Sequence, residues 1–486
     1  MEKDEYGTTA QLEHGVNRSA GSDQDSQDAD IDEFTPHEQK KIIHRVDRRL
    51  VLTCGIMYCI SLMDRTNLPA AVIAGLTKEL QLNINNRYSI VVVVFFVPYI
   101  IFQFPSTVAI RAVGPRRFLA AITLFWGAVM IGFGFSKKYE DLVALRFLLG
   151  LLEAGFFPGC VYLLSTWYVR YEVQKRYSVF YLIGCFASAL AGILAYGLMQ
   201  MNGLANLTGW RWIFIMEGIL TCLIGLAGYW LLVDFPEQAH KSWSFLNEKE
   251  VRFIVARVQK DRGDAYTEPF NLKKFLAAGL DIKIWGFALM FFNSTTLSYA
   301  IAYFLPIILR NGMGFSIAAS QCLVAPPYAL AGILMYSSAW LGDRYHIRGP
   351  IIALNAIITL VGLPLMGFHS SNAVRYFGVF LVTAGANANI PAVMTYQANN
   401  IRGQWKRALC SASMVGFGGI GGIAGGLVFR EQDAPGYKPG IYACIACSLL
   451  TLLIVGALSV QFFFTNKRAH RGETVIEGQE AFRYTL

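Results

Sequence analysis

The chain has 486 residues, of which 54% are hydrophobic, 14% aromatic and only 15% charged, with a formal net charge of +9. Soluble domains carry about 25% charged residues, so this balance, with a mean hydropathy of +0.41, argues against a water-soluble enzyme or binding module. The positive charge calls for no nucleic-acid partner, because basic loops beside a bilayer account for it.

The first 36 residues form a polar tail in which ten acidic residues, from Glu2 to Glu33, face only Lys3 and Arg18. Such a segment (1–36) is expected to be disordered. It has no basic stretch leading into an apolar one, so no cleaved signal peptide is indicated, and the first span is expected to direct insertion.

Beyond the tail the apolar residues fall into runs of about 20, each long enough to cross about 30 Å of hydrocarbon as a helix. Spans are expected near 50–74, 87–110, 118–135, 141–168, 177–199 and 210–233, then near 281–309, 319–341, 349–369, 373–397, 407–429 and 440–464. The predicted organisation is an all-α membrane protein with two six-helix halves, 37–233 and 281–465. A central loop (234–280) joins them and a tail (466–486) follows.

Lysine and arginine collect in alternate loops: "KKIIHRVDRR", "RAVGPRR", "VRYEVQKR", "GDRYHIRG", "NNIRGQWKR" and "NKRAHR". These are expected in the cytosol, with both termini. Asn206 then heads an external Asn-Leu-Thr glycosylation site, whereas Asn17 heads a cytosolic and irrelevant one. In the central loop, Asn247 and Glu250 mark a helix start, and Val251, Ile254, Val255 and Val258 recur at helical spacing before Gly263. "RAVGPRR" and "LGDRYHIRG" each follow the second helix of a half, and their arginines are expected to hold helix ends or acidic groups. Two similar halves around a central site are a transporter plan.

The nine cysteines all lie in apolar runs without metal spacing and are expected to be small buried hydrophobes. No cofactor, metal cluster or nucleophile–base arrangement is indicated. "GFGGIGGIAGG", Gly416 to Gly426, follows no strand and is expected to serve helix packing rather than phosphate binding.

Charges inside the spans are the most informative feature. Asp64 and Arg65 close an apolar run, and each costs roughly 2.5–3.5 kcal/mol at a helix centre. Sequence neighbours sit about 100° apart on a helix, so each is expected to find a different partner. The fourth span carries Arg146 and Glu153, seven residues apart on one face. Helix rise places Arg146 level with Asp64 and Arg65, and Glu153 lower, nearer the cytosol. Two guanidinium groups in a dry cavity suit a carboxylate substrate, and buried carboxylic acids suit proton carriage. A charge-compensated network that only holds helices together is the competing reading. Asn293, Ser294, Tyr299 and Tyr303 in span seven, and Asn387, Asn389 and Gln397 in span ten, fit substrate contact or helix–helix hydrogen bonding equally. Glu217 is expected to pair with Arg211 near the outer end of span six.

"MDRTNLPAA", "RFLLGLLEAGFFPG", "GWRWIFIMEG" and "DFPEQ" together resemble the major facilitator superfamily, and within it the anion:cation symporters of the fungal allantoate-permease-like branch. The resemblance covers about 40–465. It implies that Arg65 holds the substrate carboxylate, that Arg146 assists, and that Asp64 and Glu153 couple protons. It further implies a monomer in the plasma membrane importing a small organic anion such as a vitamin, ureide or amino-acid derivative. A seventh-span arginine found in some members is missing from "IWGFALMFFNSTTLSYAIAYF", which weighs against a dicarboxylate clamped from both halves. "DRTNLPAA" replaces a common "DRxNIGNA", and Pro69 is expected to kink the outer end of span one. An exporter exchanging a small molecule for protons, and a nutrient receptor that binds without translocating, are the alternatives. The first usually carries a Gly-Pro motif in span five, absent from "FYLIGCFASALAGILAYG".

Overall fold

A computed structural model describes residues 33–84, 86–241, 245–262, 277–402, 404–430, 433, 436–476 and 482–486. The tail to residue 32, with Asn17, and the helix stop at Gly263 lie outside the described residues. The first half contains α1 (Pro36–Val46), α2 (Leu52–Ala71), α3 (Arg87–Val113), α4 (Pro115–Phe133), α5 (Tyr139–Glu153), α6 (Phe156–Trp167), α7 (Arg170–Met199) and α8 (Gly209–Leu231). The connecting helix is α9 (Glu248–Arg262). The second half contains α10 (Ile282–Ile307), α11 (Ile317–Cys322), α12 (Ala325–Tyr345), α13 (Gly349–Phe368), α14 (Asn372–Asn400), α15 (Gln404–Val428) and α16 (Lys438–His470).

Among the described residues, ten helical stretches are long and apolar enough to cross a membrane. The helices α2, with its Asp64 and Arg65, and α3 pack among them. The fourth expected span is broken: α5 ends at Glu153 and α6 begins at Phe156. Pro158 explains the break, because it has no N–H to donate to the Ala154 carbonyl and its ring crowds that group. Pro69 sits inside α2 without ending it, and a wider turn at Val72–Leu76 follows, with Gly75 at φ 119°.

Packing repeats between the halves. In the first, α4 lies on α8, α2 on α7 and on α8, and α3 on α5. In the second, α13 lies on α16, α10 on α15 and on α16, and α12 on α14. The halves meet where α7 packs on α12, α3 on α15 and α2 on α10. The basic turns behave as expected: Arg116 donates to the Tyr229 carbonyl at the end of α8, and Arg348 pairs with Asp343.

The glycine run of α15 presents two stripes. Gly419, Gly422 and Gly426 lie against Ile100, Phe96 and Val92 of α3, while Gly418, Gly421 and Gly425 lie against Phe291, Thr295 and Thr296 of α10. A Cβ on any of the six would run into those neighbours, so the glycines let two helices approach at once.

Among the described residues, the large apolar core of the first half continues into the second on one side, and a small cluster of Met335 and Ala388 with Tyr181 and Leu182 also bridges the halves. On the side away from the termini, the first-half core runs on into Leu297–Leu309, Val324, Phe429 and Ile441. On the side bearing the termini, the second half keeps its own core around Phe287, Ile352, Tyr396, Cys410 and Phe462. There α9 lies on the first half, where Arg45 pairs with Glu250 at 3.0 Å, Arg257 with Glu172 at 2.6 Å, and Phe34 meets Phe253 edge-on. Val251, Ile254 and Val258 are buried as the spacing predicts, and the Asn247 N–H donates to Glu250. Residues 482–486 lie on the second half: Tyr484 stacks on Phe462 and accepts from Lys283 Nζ at 2.6 Å.

Candidate substrate and proton site

Asp64 and Arg65 point to different partners, as their helical offset requires. Arg65 donates through Nε to Glu153 Oε2 at 2.5 Å. Both side chains are buried, and Ser61, one turn before Arg65, lies within 3.4 Å of the same carboxylate oxygen. The guanidinium of Arg65 sits 4.6 Å from the centre of the Tyr99 ring and 5.4 Å from that of Phe95, and its Nη1 reaches the Tyr299 hydroxyl at 3.4 Å. Glu153 is thus not isolated below Arg65. A helical side chain leans toward its own N-terminus, which for α2 is the terminus side, so Arg65 reaches down to the level of Glu153.

Arg146 differs. It is buried, yet none of its three guanidinium nitrogens has a hydrogen-bond partner among the described residues. It lies 5.5 Å from the Phe133 ring centre and within electrostatic range of Tyr303, Tyr88, Glu153 and Asp64. The broken α5–α6 helix places Glu153 at its own C-terminal end, where a free carboxyl oxygen (Oε1) also lacks a partner.

Asp64 turns toward the rear of the first half. Its Oδ2 accepts from Trp126 Nε1 at 3.0 Å and from the Thr221 hydroxyl at 2.9 Å. It therefore neither orients Arg65 nor pairs with Arg146. Glu217 joins the same region: Asn67 Nδ2 donates to its Oε2 at 2.9 Å. This overturns the expected Glu217–Arg211 pair. Arg211 sits at the far-side end of α8, and its Nη2 binds Glu79 Oε1 at 2.5 Å while its Nη1 holds the Gly134 carbonyl. Trp210 and Thr208 also donate to Glu79. Burial pushes the Glu79 carboxyl up, but the bonds from Arg211, Trp210 and Thr208 outweigh it and hold the group below its ordinary value.

Among the described residues, α10 carries no lysine or arginine beyond Lys283. Tyr299 and Tyr303 stack 6.0 Å apart, and the Tyr303 hydroxyl and both polar atoms of Asn293 are buried without hydrogen-bond partners among the described residues. Asn387 is already engaged, accepting from Ser298 at 2.9 Å and donating to the Thr383 carbonyl at 2.8 Å. These bonds tie it to α10 and to the preceding turn of α14. Asn206 is exposed in the turn between α7 and α8, with Thr208 tied to Glu79. On the far side a cavity of only about 20 Å³ remains among Thr66, Ala70, Gly192, Pro306 and Tyr328.

Sequence reasoning missed Ser61, Tyr99, Asn67, Trp126 and Thr221. Ser61 and Asn67 were accessible from helical spacing, one turn either side of the Asp-Arg pair. Tyr99 and Trp126 sit in apolar runs that offer no signal. Together the site brings two guanidinium groups, three tyrosines and three carboxyl groups into one buried region, an arrangement able to exchange one anion for another at Arg65.

The comparisons agree with this architecture. The model of the Major Facilitator Superfamily matches residues 54–426. An uncharacterized transporter of Schizosaccharomyces pombe is 30% identical over 432 residues, covering 89% of this chain and 84% of its own. A high-affinity nicotinic acid transporter of Saccharomyces cerevisiae is 27% identical, covering 90% of this chain and 80% of its own. A bacterial homolog of the human lysosomal transporter Spinster, crystallised inward-facing and unoccupied, superposes with a TM-score of 0.63 at 13% identity, covering 87% of this chain and 96% of its own. With its paired helical halves and buried charges, the chain belongs to the Major Facilitator Superfamily and is a multi-pass membrane transporter rather than an enzyme.

Proposed function

We propose that the protein is a proton-coupled symporter of a small organic monoanion. The observation that carries this reading is the contrast between the two arginines: Arg65 is locked to Glu153, and Arg146, within electrostatic range of the same Glu153, has no hydrogen-bond partner among the described residues. A substrate carboxylate needs the bidentate fork of Arg65, so it competes with Glu153 for the same donors. Protonation of Glu153 removes its charge and frees Arg65. The anion then docks on Arg65, Arg146 supplies the second cation, and Tyr299, Tyr303 and Asn293 meet the rest of the molecule. When Glu153 loses its proton it reclaims Arg65 and expels the anion. Asp64, held away from both arginines, is a second proton carrier.

The terminus side is the cytosol in this reading, the chain spans twelve times, and the monomer imports across the plasma membrane. The loop bearing Asn206 is external. That α10 carries no arginine favours a monocarboxylate, in keeping with the name of the nicotinic acid transporter among the relatives. Uptake of labelled nicotinate, pantothenate, biotin and allantoate in transport-deficient yeast tests the proposal. Acid-stimulated accumulation of one of them is expected, and Arg65→Ala should abolish it at unchanged surface level. Undiminished uptake in that variant ends the proposal.

A further inference from the structure

The rear of the first half holds a polar cluster that substrate binding does not use. It consists of Asp64 and Asn67 on α2, Trp126 on α4, and Glu217 and Thr221 on α8, all buried. Its hydrogen bonding does not balance. Trp126 and the Thr221 hydroxyl donate to Asp64 Oδ2, and Asn67 donates to Glu217 Oε2. Three acceptors are left over, Asp64 Oδ1, Asn67 Oδ1 and Glu217 Oε1, none with a donor among the described residues. The Thr221 hydroxyl has one proton but two acceptors at 2.9 Å, Asp64 Oδ2 and the Glu217 carbonyl. A buried acceptor without a donor is costly, so the cluster is short of hydrogens. Protonating a carboxyl turns one acceptor into a donor and relieves the shortage.

Charge leads to the same point. Asp64 lies within electrostatic range of Glu217 and of Glu153. Arg65 is taken by Glu153, and Arg211, further out on α8, by Glu79. Arg146 of α5 is also within electrostatic range of Asp64 but makes no hydrogen bond to it, and the other groups facing Glu217 and Asp64 from α2, α4 and α8 are neutral: Asn67, Trp126, Thr221 and the thiol of Cys222. Two carboxylates sharing such a site do not both ionise.

We propose that Asp64 and Glu217 form one coupled carboxyl pair that holds a proton, with Trp126, Thr221 and Asn67 as its fixed donors. Glu217 thereby becomes a proton-binding residue of the transport cycle. The proposal rests on the reading that Asp64 takes part in proton coupling, and it moves that role from a single residue to the pair. Proton loss from either carboxyl leaves a carboxylate, and the Thr221 hydroxyl turns to donate to it when that carboxylate is Asp64.

Infrared difference spectroscopy of the purified full chain, titrated without substrate, tests this through the protonated-carboxyl stretching band. Glu217→Gln keeps the shape and the acceptor for Asn67 while removing the proton site. It is expected to diminish the band and to move the titration of what remains by about one pH unit or more, as strongly interacting groups do. Asp64→Asn should act on the same band. Asn67→Leu, which leaves both carboxyls in place, should also shift it. An unchanged band in Glu217→Gln, or Asp64 and Glu217 bands that titrate independently in the two variants, overturns the pair. Wild-type uptake without acid stimulation would instead remove the symport reading and leave the infrared result standing.

Discussion

Arg65 and Glu153 close on each other at 2.5 Å between α2 and α5, and neither touches solvent. In that geometry the residue that would bind an anion is occupied by an anion of the protein's own.

Glu153→Gln removes the competitor. The amide still accepts a hydrogen bond, but it holds Arg65 without charge, and charge-assisted bonds are about twice as strong as neutral ones. Substrate should bind at neutral pH as well as at acidic pH, and counterflow of labelled substrate should persist. Accumulation driven by a proton gradient should disappear. Uptake with an unchanged pH profile would show that Glu153 does not control Arg65.

Arg146→Met separates binding from stability. A buried cation without hydrogen bonds costs the fold several kcal/mol, and methionine fills similar space without charge. The variant should melt no lower than the wild type. Its substrate affinity should fall roughly 10- to 100-fold, since a hydrogen bond to a charged group is worth about 1.5–3 kcal/mol and 1.4 kcal/mol is tenfold. A marked loss of Tm with unchanged affinity would make Arg146 a structural residue.

Gly150→Ala tests the support beneath Arg65. A methyl group at Gly150 would press into the Phe95 backbone carbonyl, and Phe95 is one of the two rings flanking the Arg65 guanidinium. Overpacking of this kind costs about 1–3 kcal/mol. Both a lower Tm and a higher KM are expected. A change in Tm alone would show that Phe95 does not help to set Arg65.

Glu79→Gln addresses the far-side clamp. The Glu79 carboxyl is held below its ordinary value of 4.5, so its contribution is complete above that value and fades as pH falls through the lowered one. Substitution should lower Tm by a few degrees, and by the same amount at about pH 5 as at about pH 8, with the difference narrowing only below about pH 4. A loss that grows between neutral and mildly acidic pH would contradict the assignment.

Much of this arrangement was readable from residues alone. Apolar runs located the helices to within a few residues. The cost of charge in hydrocarbon singled out Asp64, Arg65, Arg146 and Glu153, because hydrophobic patterning makes such exceptions conspicuous. What failed was pairing. Helix rise put Glu153 below Arg65 without counting the length and lean of the arginine side chain. The nearest charge of opposite sign along α8 suggested Arg211 for Glu217, although six residues separate them and Glu79 reaches Arg211 from another segment. Trp126 and Thr221 sit in apolar surroundings and acquire meaning only once α4 and α8 are packed behind α2. The interruption after Glu153 was also legible, since Pro158 stands four residues beyond Ala154, but a hydropathy window passes over it.

The one-sided weld between the halves has an energetic corollary for turnover. On the symport reading, access from the compartment opposite the termini must peel Phe96 away from Tyr299 and Gly422. Shaving bulk from Phe96 is therefore expected to ease opening on that side.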